Sequence, residues 1–248
     1  MPDAVIPINP TLAIVLVVLA AVAATVTVTG GLGQARTPLF AAGRAAVQLA
    51  AVSGVIVVLL RTGWWAAFVL LMLGAATVTS SRRVTGRFRV AWTAVPVTAG
   101  VLPVLGLVLA SGLVPLTGIA VIPIGGILTG AAMTSITLAG RRALDELRDR
   151  HGEYEAALAL GFLPRPAALE VARTPASEAL IPALDQTRTV GLVTLPGAYV
   201  GVLLGGASPL QAGAAQLLVL VGILAVQAVA ALLTIELVAR GKVARAAA

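Results

Sequence analysis

The chain has 248 residues, of which 59% are hydrophobic, 11% charged and 4% aromatic, and its formal net charge is +7. A soluble domain has about 25% charged residues and could not bury this much apolar surface in one core, so the composition excludes an ordinary soluble protein. The absence of cysteine and the single histidine exclude disulfides, thiolate chemistry and a cluster of histidine ligands. We attribute the positive charge to basic cytoplasmic loops, and we predict no binding of nucleic acid.

Seven apolar runs are candidates for membrane spans, since a helix needs about 20 apolar residues to cross a bilayer. In chain order they are residues 12–28, 45–60, 64–78, 91–110, 113–139, 190–204 and 212–238. The 26 glycines and many alanines permit close packing between helices. The sequence therefore predicts an all-α, polytopic transmembrane bundle of about seven spans in contact with membrane lipid, forming a single domain over residues 1–248.

The arginines predict the orientation of these spans. Four arginines lie between the third and fourth runs, seven lie in the polar segment 141–188, and the tail carries Arg240, Lys242 and Arg245. The loops at 111–112 and 205–211 carry no charge. Arg36 and Arg44 fall on the same side as the other basic loops, whereas Arg61 does not. Because cytoplasmic loops are enriched in Lys and Arg, we expect the N-terminus outside and the C-terminus in the cytoplasm.

The segment 141–188 begins with a predicted helix that continues the fifth span over residues 141–161. Leu144, Leu147, His151, Tyr154 and Leu158 recur at spacings of three and four, which places them on one face of this helix. The ordinary interpretation is a solvated helix that folds back on its own bundle. His151 has no Ser or Cys partner near it in sequence, so we predict no catalytic residues.

Residues 155–161 read Glu-Ala-Ala, three further residues, then Gly. Ala156 and Ala157 would let a helix lie close to a partner surface, and Glu153 and Glu155 offer negative charge to a basic partner. Gly161 is suited to end the helix with a positive φ. This pattern resembles the coupling-loop signature of ABC transporter permeases. In that family the short helix sits in a cleft of the ATPase subunit.

Longer stretches extend the resemblance. They are residues 44–49 (Arg-Ala-Ala-Val-Gln-Leu), 131–138 (Ala-Ala-Met-Thr-Ser-Ile-Thr-Leu), 181–188, 189–197 and 204–212. Together they resemble the FetB-type permeases, which include bacterial iron-export permeases and plant aluminium-sensitivity transporters. The resemblance covers about residues 30–238 and is strongest after residue 130, whereas the N-terminal spans match little beyond 44–49.

The resemblance implies a multi-pass permease subunit of the inner (plasma) membrane that exports a metal ion such as iron. It also implies a separate ABC-type ATP-binding subunit and a homodimer of this chain. The sequence agrees with that division of labour, because it contains no Gly-x-x-x-x-Gly-Lys-Ser/Thr loop and only one lysine. We predict no cofactor and no enzymatic activity of the chain's own, and the metal ligands remain open.

Several polar residues within the spans are candidates for the translocation path. They are Gln48 on the second run and Met133, Thr134, Ser135 and Thr137 on the fifth. The alternative for the hydroxyl groups is hydrogen bonding to their own backbone or between helices. Glu236 and Arg240, four residues apart, are expected to form an ion pair at a helix end.

A secondary transporter or channel that acts without an ATPase is the alternative function. Such proteins place ionisable residues in the middle of their spans for ion coupling, and the apolar runs of this chain contain none there. Iron as a bare ion prefers carboxylate or imidazole ligands, which these runs also lack. The sequence therefore leaves open whether the substrate is a bare ion, a chelate or another molecule.

Overall fold

The computed structural model describes residues 9–31, 37–86 and 90–244. Arg36, Arg87, Arg89 and Arg245, which entered the orientation argument, lie outside the described residues. The helices are α1 (Pro10–Thr29), α2 (Thr37–Thr62), α3 (Trp65–Thr85), α4 (Val90–Ala110), α5 (Gly118–Asp149), α6 (His151–Ala159), α7 (Pro164–Ser177), α8 (Ile181–Thr189), α9 (Gly197–Leu204) and α10 (Pro209–Ala239). The predicted all-α fold is confirmed.

Six of these helices, α1 to α5 and α10, are long and apolar enough to cross a membrane. They correspond to six of the seven apolar runs that the sequence predicts as spans, although α5 begins only at Gly118, five residues after the start of the fifth run. Helix α5 has 32 residues and is therefore about 48 Å long, which exceeds the roughly 30 Å of a hydrocarbon core. The fifth span thus continues into the polar segment without interruption, as predicted, until Asp149.

The chain forms two compact units, Met1–Thr62 and Gly63–Ala248. In the first unit α1 and α2 pack on each other, and Asn9 caps the start of α1, since its Oδ1 accepts the Leu12 N–H at 3.0 Å. Nearly all the apolar side chains described in this unit are exposed, as suits helices that face lipid. The prediction of one domain spans both units and stays a prediction.

Helices α5 and α10 form the centre of the second unit and run parallel. Near one end, a Cβ on Gly222 would meet Leu128, and further along, Ser135 Oγ donates a hydrogen bond to the Gln227 carbonyl at 2.9 Å. Further along both helices, a Cβ on Gly140 of α5 would lie 3.3 Å from the methyl group of Thr234 on α10. Helices α3 and α4 pack against both, and the core consists mainly of Val, Leu and Ala. Small residues at the crossings let these backbones approach closely.

We call the end of the second unit where α5 and α10 finish the basic end, since Arg83, Arg141, Arg142 and Arg240 lie there. Arg141 Nε donates to the Arg83 carbonyl at 2.7 Å, which ties the end of α3 to α5. Helix α7 packs across the last turns of α5 and α10.

The predicted sixth span, residues 190–204, is not a continuous helix and is not among the six helices long enough to cross a membrane. The chain leaves the basic end after Glu178, which pairs with Arg142 at 2.8 Å, and α9 packs beside the first turns of α10. Only Gly197–Leu204 is helical, about 12 Å long, which is too short to cross a bilayer. Residues 190–196 form a tight loop instead, because Gly191 adopts a φ of +81° and Pro196 has no N–H to continue a helix. The return across the unit therefore consists of α8, this loop and α9.

Candidate functional site

The segment that follows α5 at the basic end contains the predicted coupling motif. The helix is interrupted at Arg150 (φ −108°, ψ 34°), and α6 starts directly after it. Arg150 Nε donates to Glu153 Oε1 at 2.7 Å, and this hydrogen bond lowers the pKa of Glu153 below its usual value. Glu153 is therefore ionised at neutral pH and already paired within its own chain.

The five coupling residues predicted from sequence lie on and just after α6. Ala156 is exposed, Ala157 is half-buried, and Glu155 is exposed with its Oε1 3.7 Å from His151 Nδ1. Gly161 has the predicted positive φ, +92°, so the chain turns there. Pro164 then occupies the first position of α7, where the missing N–H costs nothing, so the prolines begin a new helix as well as preventing α6 from continuing.

Three large apolar side chains are exposed just after α6, beyond the membrane-spanning stretches. Leu160 is 81% exposed, Phe162 is 47% exposed and Leu163 is 72% exposed. These side chains lie outside the helices that are long enough to cross a membrane, near the charged residues of the basic end. Together with Ala156 they form an apolar surface, which we call the α6 tip (Ala156, Leu160, Phe162 and Leu163). Exposed apolar side chains that cluster into a patch are typical of a protein–protein contact.

Arg165 on α7 connects this segment to α10. Its Nε and terminal nitrogen donate to the two carboxylate oxygens of Glu236 at 2.6 and 2.9 Å, and this pairing raises the pKa of the guanidinium. Arg240 Nε also donates to Glu236, at 2.6 Å, so the predicted helix-end pair is present. The bidentate contact from Arg165 could not be predicted, since the two residues are 71 positions apart and nothing in either local sequence marks them as partners.

A cavity of about 740 Å³ lies beside this ion pair at the basic end. His151, Tyr154 and Leu163 line one side, and Arg165 and Arg240 line another. The His151 and Tyr154 rings meet edge to face with centroids 5.9 Å apart. The α6 tip, the ion pair and this cavity therefore form one continuous region at the basic end.

The four path candidates on α5 point in different directions. Thr134 is exposed and Thr137 is buried, and each hydroxyl donates to a carbonyl one turn earlier, at 3.0 and 2.7 Å. Ser135 is buried and donates to α10, and Met133 packs partly against the core. Since successive helical residues turn by about 100°, these side chains cannot all line one path.

Gln48 and Arg44 belong to the first unit, where both are exposed on α2, one turn apart. Two other amides, Gln216 and Gln227 on α10, are buried, and the sequence analysis did not single them out. Gln216 Oε1 accepts the Tyr199 N–H at 3.1 Å, and Gln227 Nε2 donates to the Ala131 carbonyl. Glutamine inside an otherwise apolar run is the signal that could have identified them.

No group of three or more His, Cys, Asp or Glu residues within 9–31, 37–86 and 90–244 is placed to hold a metal ion.

Comparison with known proteins identifies the chain's relatives. A family model described as "Uncharacterised protein family (UPF0014)" matches residues 10–242. The chain is 34% identical over 207 residues to the UPF0014 membrane protein STAR2 of Oryza sativa subsp. japonica, covering 81% of this chain and 72% of that protein. It is 31% identical over 217 residues to the protein ALUMINUM SENSITIVE 3 of Arabidopsis thaliana, covering 86% and 78%.

A third relative has a name that states a function. Over 143 residues the chain is 32% identical to the probable iron export permease protein FetB of Escherichia coli (strain K12), covering 56% of this chain and 53% of that protein. No solved structure matches the chain. The apolar helices and these relatives show a multi-pass protein of the plasma membrane. The match across nearly the whole sequence shows that the chain belongs to the UPF0014 membrane protein family.

Proposed function

We propose that this chain is the permease subunit of an ABC transporter, which exports a metal ion such as iron and is driven by a separate ATPase subunit. The observation that carries the proposal is the α6 tip, a set of exposed apolar side chains at the end of a short helix and just after it, outside the six long apolar helices. The similarity to a probable iron export permease supports both the transport function and the substrate class. In this division of labour the chain performs translocation and the partner hydrolyses ATP.

The α6 tip is suited to dock in a cleft. Ala156 is exposed and small, so a partner surface can approach the helix backbone closely, and Leu160 and Phe162 supply apolar area to bury. Glu155 at the edge is available for a basic residue of the partner. The Arg165–Glu236 contact then offers a direct mechanical route from the docked segment to α10.

The arginine-rich end faces the cytoplasm in this proposal, and two copies of the chain assemble with two ATPases. The second unit contains four of the continuous spans, which is few for a complete path, so a homodimer supplies the second half. Among the sequence candidates, Thr134 on α5 and Gln48 on α2 have exposed side chains that could contact substrate. Ser135, Thr137 and Met133 serve mainly in packing within the second unit.

The test is co-purification of the ATPase with the membrane subunit, comparing wild type with Ala156→Arg. Close docking would bury the introduced charge without a partner, at a cost of roughly 3–5 kcal/mol, so we expect association to be lost. Gly161→Val should act more mildly, because open space surrounds the position and only the left-handed backbone is strained, by about 1–2 kcal/mol.

Thr174→Arg is the matched control. Thr174 is exposed on α7, about 15 Å along that helix from Pro164, and the same arginine there should leave both association and membrane insertion unchanged. If Ala156→Arg keeps its ATPase and its transport, α6 is only a solvated helix and the ABC assignment fails. Transport that persists without any ATPase would establish the alternative, a secondary transporter or channel.

A further inference from the structure

Residues 190–196, which separate α8 from α9, are non-helical, and their position along α10 is informative. Tyr199 is level with Gln216, which is two turns into α10 and thus about 10 Å from the start of that helix. From there to the Arg165–Glu236 pair at the basic end is about 30 Å of α10. Residues 190–196 lie between α9 and the basic end, so a hydrocarbon core about 30 Å thick that begins at the Arg165–Glu236 pair would surround them.

Four N–H groups of the loop bond to the carbonyls of Thr189 and Thr194, whereas most carbonyls of the loop receive no such bond. The Thr189 carbonyl accepts the N–H groups of Leu192, Val193 and Thr194 at 3.2, 2.9 and 3.4 Å, and the Gly191 N–H donates to the Thr194 carbonyl at 2.9 Å. No donor from the described part of the second unit reaches the other carbonyls of the loop. These are the carbonyls of Val190, Gly191, Leu192, Val193 and Leu195.

The side chains of the loop are not packed against the rest of the unit. Leu192 is 90% exposed and Val193 is 77% exposed. Lipid tails have no donors, and non-helical backbone at membrane depth is tolerated only where protein buries it or where it lines a water-filled cavity.

We propose that residues 190–196 line the aqueous translocation path and that their carbonyl oxygens bind the transported cation. The loop follows the C-terminal end of α8, where the helix dipole is negative and favours a cation. Arg188, the nearest cation in sequence, is paired with Asp185 at 3.3 Å, which reduces its repulsion of a bound ion. Carbonyl oxygens suit hard divalent cations such as Mn²⁺.

The N-terminal end of α9 is held in place opposite this loop. The buried Gln216 side chain accepts the Tyr199 N–H, so the helix cannot shift along α10 without leaving that amide unpaired. Discontinuous membrane helices of this kind are where secondary transporters bind their ions, because the unwound backbone offers carbonyls that a continuous helix uses internally. The inference rests on the proposed transport function and identifies the element of the chain that contacts the cargo.

The absence of native cysteine allows a direct test in native membranes. Val193→Cys and Thr194→Cys are treated with a membrane-impermeant methanethiosulfonate reagent, alone and with Mn²⁺ or Fe²⁺. Leu71→Cys, an exposed apolar position on α3, is the lipid-facing control, and Leu210→Cys, exposed at the start of α10, is the water-facing control. Only a thiolate reacts, and thiolates form in water, so the loop positions should react about tenfold faster than Leu71→Cys.

Either divalent cation should slow the reaction at the loop positions severalfold, while Na⁺ at equal ionic strength should not. Leu210→Cys should react quickly with no such protection, which controls for binding of metal to the thiol itself. Loop positions that react as slowly as Leu71→Cys would show that lipid or protein seals the break. Rapid reaction without protection by either cation would show water but no cation site, and both results overturn the proposal. Labelling needs no ATPase, so it is independent of the co-purification experiment.

Discussion

Gly140 on α5 lies where three helices of the second unit meet, and replacing it with alanine tests the packing directly. A Cβ at this position would lie 2.9 and 3.1 Å from the two methyl groups of Val84 on α3 and 3.3 Å from the Thr234 methyl on α10. Ordinary contacts between carbon atoms are about 3.5–4.0 Å, so the new methyl overlaps both neighbours.

Neither neighbour can move aside easily. Val84 is buried, and a β-branched side chain in a helix has one strongly preferred χ1 rotamer. The Thr234 hydroxyl donates to the Ala230 carbonyl at 2.7 Å, which fixes its methyl group. Overpacking of this kind costs about 1–3 kcal/mol. We therefore expect Gly140→Ala to destabilise the second unit.

Gly130→Ala is the matched control on the same helix, because nothing lies within 4 Å of a Cβ there. Both substitutions gain the same helix propensity, about 0.5–1 kcal/mol, so the difference between them isolates the overpacking term. For a unit of this size, each kcal/mol of lost stability lowers the midpoint of thermal unfolding by about 2–4 °C. The midpoints of the two variants are compared in detergent. A Gly140→Ala midpoint equal to or above that of Gly130→Ala would refute the close packing of α3, α5 and α10.

The remaining predictions concern the second unit and its orientation. Ser135→Ala removes the hydrogen bond to the Gln227 carbonyl and should lower the free energy of unfolding by about 1 kcal/mol. Thr134→Val, on the exposed face of α5, should cost less, and equal losses would contradict a role of the Ser135 hydrogen bond in helix packing. Arg165→Ala should change the free energy of unfolding by no more than about 1 kcal/mol, since its ion pair with Glu236 is partly exposed. It should still reduce transport-coupled ATPase activity, and unchanged coupling would exclude this contact as a transmission route. A reporter fused after α10 should report the cytoplasm and one in the turn between α9 and α10 the exterior, and the reverse result for both would invert the predicted topology.

The sequence alone determined the class of protein and the position of the long helices. Hydrophobicity over about 20 residues is a local property, so α1 to α5 and α10 could be predicted without knowing any contact between them. The turn at Gly161 was also predictable, because the motif places a glycine directly after the last helical residues and glycine adopts positive φ readily.

Only the tertiary structure decided what depends on contacts between distant parts of the chain. Residues 190–204 are apolar enough for a span, and composition does not reveal that Gly191 turns the backbone into a loop that α9 and α10 then hold in place. The same limit applies to Arg165 and Glu236, whose pairing requires α7 to cross the end of α10. Side-chain polarity identified Ser135 as a candidate for the path, and only the fold shows that its hydroxyl is buried and donates to the Gln227 carbonyl on α10.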